Sequence, residues 1–188
     1  MRAVTGDPDL GAPGATAWYF AYGSNIETAT FSGRRGIAFL RAVPARLAGW
    51  RLVLDKPGIV SVGHGFANIV PDDTTVVLGV LYEMRPADLD HLDLTEGVLI
   101  GNYRRVEVVA ETLASAATRV AAQTFVSDRR DISLRPSTRY LACLIAGALE
   151  HGLPAAYVEW LRAVPACEES AEALSFRPLL DDALGRRR

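Results

Sequence analysis

Short apolar runs separated by turn-forming residues dominate this chain, and they predict most of its elements. Segments rich in Val, Ile, Leu and aromatic residues at 18–22, 46–54, 66–70, 76–83, 103–110 and 118–126 read as strands. Turn-rich stretches at 55–65, 71–74 and 127–136 separate most of them. Helical spacing is clearest at 137–150, where Leu141, Leu144, Ile145 and Leu149 share a face before Gly152 and Pro154 stop the helix. A second helix is predicted at 154–163. A shorter one at 86–92 opens with Pro86, sets Leu89 and Leu92 three residues apart, and leads the chain into Glu96. Strands outnumber helices, and the helices are inserted between them rather than alternating regularly, so the expected class is α+β rather than doubly wound.

Composition narrows this picture. A chain of 188 residues that is 49% hydrophobic is long enough for one domain with a filled core. Residues 1–16 are rich in Gly, Pro, Ala and Asp without periodicity and read as a disordered leader. The domain is placed at 17–165, and 166–188 form a mixed, charged C-terminal extension. The net charge of −2, with Lys and Arg interspersed among Asp and Glu, argues against a nucleic-acid surface, and Arg186-Arg187-Arg188 reads as a solvated tail. No apolar run is long enough to span a bilayer, and the N-terminus has neither the basic start nor the apolar centre of a signal peptide. The expectation is a soluble, cytoplasmic protein without membrane partners. Cys143 and Cys167 fit no metal spacing and form no disulfide framework, and Cys143 falls in an apolar helical series that predicts a buried packing role. No metal or cofactor is expected.

The candidate chemistry lies in two segments. Tyr22-Gly23-Ser24-Asn25 follows the apolar run Ala17–Ala21, and a strand that empties into a Gly-Ser-Asn turn can offer backbone N–H groups and short polar side chains to an anion. Further on, Glu96 stands in Leu92-Asp93-Leu94-Thr95-Glu96-Gly97-Val98, trailed by Gly101-Asn102-Tyr103-Arg104. Pro136-Ser137 with Tyr140, then Gly152-Leu153-Pro154 with Tyr157, complete a set spanning about residues 17–161. In order and spacing the set resembles the gamma-glutamylcyclotransferase-like family. The resemblance implies a small mixed β-barrel with flanking helices and a substrate held in the barrel mouth. It implies that Glu96 is the catalytic carboxylate and that Tyr22, Gly23, Ser24, Asn25 and Tyr103 bind substrate. It also admits a homodimer and, for some members, a carrier protein as partner.

Such a reaction closes a gamma-glutamyl group onto its own amine, giving 5-oxoproline and a free amine, and needs one group to take a proton and return it. Glu96 fits that role if its carboxyl is buried among apolar neighbours, which Val98 and Leu99 would supply. The N–H groups of Gly23, Ser24 and Asn25 would receive either the substrate carboxylate or the developing oxyanion. Some positions depart from the family or stand outside it. Phe125 lacks a hydroxyl that some cyclotransferases carry there, and residues 31–39 do not align. Arg34 and Arg35 could counter a carboxylate, although a solvated turn is the reading preferred, and His64, between Gly63 and Gly65, reads as exposed-turn material. Two other functions stay open: removal of a gamma-glutamyl protecting group from a carrier-linked intermediate, for which a basic patch by the pocket would speak, and a non-catalytic, metabolite-binding member.

Overall fold

The computed structural model describes residues 14–59 and 63–169. Nearly all of the predicted leader, and the extension from residue 170 onward, lie outside the described residues. Five strands, β1 (Ala17–Ala21), β2 (Arg41–Pro57), β3 (Gly65–Met84), β4 (Arg104–Thr112) and β5 (Arg119–Val126), close into a barrel in the order β1-β3-β2-β4-β5. The barrel is mixed: β1 pairs parallel with β5 through Tyr19 and Gln123, and every other pairing is antiparallel. Three α-helices, α1 (Pro86–Glu96), α2 (Thr138–Glu150) and α3 (Ala155–Ala163), flank it. The expected α+β class and small mixed barrel with flanking helices are therefore what the chain forms. Among the described residues no helix is long and apolar enough to cross a membrane.

Two of the predicted strands are one. The segments 66–70 and 76–83 belong to the single strand β3, and β2 runs well beyond 46–54 at both ends. The turn chemistry between 71 and 74 is present, but it produces a bulge rather than a break. Ala48 faces Val76 while Trp50 faces Pro71, so extra residues of β3 loop out. Asp72 Oδ1 accepts bonds from the Thr74 amide at 3.1 Å and the Thr74 hydroxyl at 2.7 Å, and the Thr75 hydroxyl donates to the Trp50 carbonyl at 2.8 Å. Pro71, which has no N–H to give, sits at the irregularity, where a ladder tolerates it.

Alternate residues of β1 feed two cores, as a pleated strand requires. Phe20 and Tyr22 join Leu47, Ile69, Val77, Leu81, Val108 and Val126 in a cluster whose buried members come from the strands and the residues just beyond β1, the barrel interior. Tyr19 and Ala21 join Phe31, Tyr82, Leu92, Leu144 and Leu161 in a second cluster between the barrel and the helices. Each large side chain buried this way contributes about 2 kcal/mol. The second cluster matters for the site, because it is continuous with the segments that carry the polar side chains.

Those segments follow β1. A 3-10 turn at Ser24–Ile26 leads into a π-helical turn at Ala29–Arg34, which closes with the Arg35 amide donating to the Thr30 carbonyl at 3.0 Å. Its wider winding buries Phe31 against Tyr82, ring centroids 4.4 Å apart. Helix α2 lies directly on the 3-10 turn. It is capped by the Ser137 hydroxyl, which accepts from the Tyr140 amide at 3.1 Å. At Gly147 the helix comes so close that an added Cβ would stand 2.6 Å from the Glu27 nitrogen and the Ile26 carbonyl carbon. The start of the predicted C-terminal extension packs here too: the Thr138 amide donates to the Cys167 carbonyl at 2.9 Å, and the Cys167 amide to the Pro136 carbonyl at 3.0 Å. Gly147→Ala is expected to lower stability by about 1–3 kcal/mol, because backbone rather than a flexible side chain must give way; urea denaturation of the two proteins measures it.

Candidate active site

Glu96 is the last residue of α1, and Gly97 ends the helix with a φ of 68°, a left-handed conformation that favours glycine. The turn that follows returns through a second left-handed glycine, Gly101, to Asn102, whose Nδ2 donates to the Glu96 carbonyl at 2.9 Å. This turn aims the Glu96 side chain into the barrel mouth, where it is 8% exposed. A carboxylate there faces the negative end of the helix dipole, so its position depends on donors from elsewhere. Two supply them: Asn25 Nδ2 donates to Glu96 Oε1 at 2.9 Å, and Arg35 Nη1 to the same oxygen at 2.7 Å. Among the described residues Oε2 takes no hydrogen bond.

The surroundings of Glu96 differ from the apolar ones expected. Leu99 is 84% exposed and points away, and the carboxylate is enclosed by an amide and a guanidinium. Arg35 is likewise no solvated turn. Its side chain is mostly buried, its Nη1 also donates to the Thr95 hydroxyl at 3.1 Å, and its carbonyl lies 3.3 Å from His91 Nε2. Countering a carboxylate is the less favoured of its two expected roles, and the π-helical turn that selects it is announced by no hydrophobic periodicity.

A cavity of about 270 Å³ opens at this mouth, and Tyr22, Gly23, Ser24, Asn25, Glu96 and Tyr103 all line it. The structure thus brings every sequence-predicted site residue to one place. Asn25, 4% exposed, is its centre: its Nδ2 also donates to the Tyr19 hydroxyl at 2.9 Å, and its Oδ1 is buried without a hydrogen-bond partner. The Tyr22 hydroxyl is spent on the Phe125 carbonyl and the Tyr103 hydroxyl on the Ala67 carbonyl, the latter at 2.8 Å. These two tyrosines therefore line the cavity with their hydroxyls already committed. Tyr140 accepts from the Ala67 amide at 3.1 Å and packs by Gly23. Burial pushes the hydroxyls of Tyr19, Tyr22, Tyr103 and Tyr140 well above the usual phenol range, so all four remain neutral. Phe125 stacks edge-on against Tyr19, with centroids 5.7 Å apart.

Among the lining residues not singled out from the sequence are Tyr19, Lys56 and Asn102. Tyr19 and Lys56 sit in or at the end of ordinary strand patterns. Asn102 appeared only as the variable position before Tyr103. It is a hub, taking a bond from Lys56 on Oδ1 while its carbonyl accepts from the Ser127 hydroxyl at 2.7 Å. Asn68 braces the same corner, exchanging two bonds with the Ser127 backbone at 2.7 and 2.9 Å.

Two side chains outside the cavity also differ from expectation. His64 is buried, 5% exposed, with Nδ1 3.4 Å from Cys167 Sγ. Cys143 does more than pack: its thiol donates to Glu27 Oε2 at 3.0 Å, and burial, reinforced by Glu27, pushes it up to about 12. It stays a thiol. Among the described residues no group of three His, Cys, Asp or Glu side chains is placed to hold a metal ion.

A closed mixed barrel whose mouth holds a buried carboxylate, one anchored oxygen and a set of neutral phenols defines a class of small-molecule site, and the comparisons with known proteins agree on which. Residues 76–161 match the AIG2-like family. Over 166 residues the chain is 32% identical to gamma-glutamylcyclotransferase of Homo sapiens, spanning 86% of each protein. The bovine gamma-glutamylcyclotransferase is 32% identical over 154 residues, 80% of each. A solved structure of a gamma-glutamyl cyclotransferase superimposes with a TM-score of 0.71 at 27% identity, across 89% of this chain and 99% of that one. The chain belongs to the gamma-glutamylcyclotransferase family, a family of enzymes.

Removing the guanidinium would leave a buried carboxylate short of its cation at the unfavourable end of a helix. Arg35→Met is expected to destabilise the fold by about 3 kcal/mol, as for one partner of a buried ion pair, and Arg35→Lys by less; urea midpoints of the three proteins check the order.

Proposed function

We propose that this enzyme cleaves a gamma-glutamyl amide to 5-oxoproline and a free amine, with Glu96 as general base and then general acid. The observation that carries the reading is the Glu96 carboxylate itself: buried in the cavity, fixed through Oε1 by Asn25 and Arg35, with Oε2 left for a substrate proton. Fixing one oxygen restricts the carboxylate to a single orientation. General acid–base transfer needs that geometry, with reacting atoms at hydrogen-bond distance.

The balance of atoms runs through one residue. The substrate's α-ammonium gives a proton to Glu96, its nitrogen attacks the γ-carbonyl carbon, and a new C–N bond closes a five-membered ring while the carbonyl electron pair moves onto oxygen. When the carbonyl re-forms, the original amide C–N bond breaks and Glu96 returns its proton to the departing nitrogen. The second proton shed by the ring nitrogen converts the freed amine to its ammonium. No group outside substrate and Glu96 changes its bonding. Because attack is intramolecular, holding the glutamyl chain curled replaces a large part of the barrier.

The neighbouring groups suit that task. Tyr22, Gly23, Ser24 and Asn25 form the wall that takes the glutamyl half, where the leading N–H groups of a 3-10 turn have no acceptor within the turn. The unpartnered Asn25 Oδ1 is an acceptor for the α-ammonium. Tyr103 supplies an apolar face, its hydroxyl being committed to Ala67.

The test is mass-spectrometric detection of 5-oxoproline from a panel of gamma-glutamyl amines and amino acids. Glu96→Gln keeps the bonds to Oε1 but carries no transferable proton, so turnover should fall by at least about 10³-fold with the fold intact. Substantial turnover by Glu96→Gln would remove that residue from the mechanism. Asn25→Ala should lower kcat and raise KM together, because it frees Glu96 and loses a substrate acceptor at once.

A further inference from the structure

Lys56, at the end of β2, is the one lining residue whose charge the reaction above does not use. It is 2% exposed, yet among the described residues no carboxylate comes within ion-pair distance of its ammonium. Its contacts are a hydrogen bond to Asn102 Oδ1 and the face of the Tyr103 ring, whose centroid lies 4.6 Å from Nζ. The acid beside it in sequence, Asp55, is committed to Arg130, with Nε bonds of 3.1 and 3.2 Å. A buried charge normally has a countercharge, and this one faces a cavity instead.

The charge census of that cavity points the same way. Glu96, Arg35 and Lys56 are its only charged lining residues among those described, and Glu96 is already neutralised by Arg35. The surplus is positive and sits at Lys56. Its place in the wall indicates which half of the substrate it meets. Asn25 and Arg35 reach Glu96 through the carboxylate, on the side of the Tyr22-Gly23-Ser24-Asn25 wall; Lys56 reaches it through Asn102 and the Glu96 backbone carbonyl. Beyond Lys56 the cavity edge continues into Gly58 and Ile59, and Ile59 is 45% exposed, so this is the side open to solvent. With the glutamyl half against the wall, the departing half runs outward past Lys56.

We propose that Lys56 is a specificity-determining residue, whose ammonium receives an anionic group, carboxylate or phosphate, carried on the amine that departs. This rests on the reading that the pocket cleaves a gamma-glutamyl amide. A cationic amine such as a polyamine would meet like charge there, and a neutral one would leave the ammonium uncompensated. Arginine would not be equivalent at this position, since the site fits a compact ammonium between an amide oxygen and a ring face.

The charge is also pH-sensitive. Burial first, and Arg129 second, push the Lys56 ammonium down to about 8, with Glu96 opposing them. The charged and titratable groups facing it are Glu96 from the end of α1, Arg129 from the segment after β5, and Tyr103, which stays neutral. Lys56 is therefore cationic below about pH 8 and neutral above it. Preference for an anionic leaving group should be full near pH 7 and fade as pH rises through 8 to 9.5.

Four substrates test this: gamma-glutamyl-alanine, gamma-glutamyl-ethylamide with the same stem but no carboxylate, gamma-glutamyl-aminoethyl phosphate, and gamma-glutamyl-putrescine. In the wild type, kcat/KM for the carboxylate or phosphate substrate should exceed that for ethylamide by about 10-fold or more, with putrescine lowest. Which of the two anions leads tells a free amino acid from a phosphate-bearing carrier arm. In Lys56→Met the ratio should collapse to within about 3-fold while the ethylamide rate is kept within a similar factor. Equal loss on all four substrates would reduce Lys56 to a clamp on Asn102 and overturn the proposal, as would a wild type that makes 5-oxoproline without discriminating. If no substrate yields 5-oxoproline, the reaction itself is misassigned; calorimetric binding of the same four compounds to wild type and Lys56→Met then decides, and binding blind to the anion overturns the role of Lys56.

Discussion

A carboxylate buried at the C-terminal end of a helix is held against two opposing forces, loss of hydration and the negative end of the helix dipole. In this protein the opposition is met at a single oxygen, Glu96 Oε1, by Asn25 and Arg35. Most of the architecture can be read as the means of bringing those three side chains together. Asn25 arrives from the turn after β1, Arg35 from the π-helical turn that follows, and Glu96 from α1 after the long β2–β3 hairpin has been laid down. The barrel brings the end of β1 and the start of β4 to one mouth, and the helical core holds the two turns in place.

Around that anchor the polar groups are divided between structure and substrate. Tyr22 and Tyr103 give their hydroxyls to backbone carbonyls, and Asn68 gives its amide to Ser127, so the walls are rigid and their hydrogen bonds spent. A few groups are left over: Glu96 Oε2, Asn25 Oδ1 and the Lys56 ammonium. Preorganisation of this kind lets a site stabilise the changing charge of a reaction without reorganising as it proceeds. An intramolecular cyclisation asks little else of a protein beyond curling the substrate and moving protons.

Family membership limits the chemistry more than the substrate. In the proposed reading the glutamyl half and the scissile amide lie against the segments matched by the resemblance, and the departing half against Lys56, Gly58 and Ile59, which line the same cavity and carry none of its motifs. On that proposal the choice of leaving group is to be sought at the end of β2, where Lys56 is a buried charge without a countercharge among the described residues.

Much of this was legible in the chain. Every segment predicted as strand from runs of Val, Ile, Leu and aromatic residues lies in a strand to within a residue at its ends, though two of the segments share one strand, and the three α-helices form as well, because burial on one face imposes a local period that a sequence displays. Glu96, Asn25 and their loops were legible as well, since each stands in a short motif. What only the tertiary structure decided depends on residues distant in sequence. The turn at 71–74 became a bulge because β2 was there to pair on both sides of it. Arg35 became the partner of Glu96 because a π-helical turn, stabilised by Phe31 in the core, points it inward. His64 and Lys56 became buried because other segments cover them. A residue's own neighbours report its secondary structure, but its electrostatic partner is set by where the barrel closes.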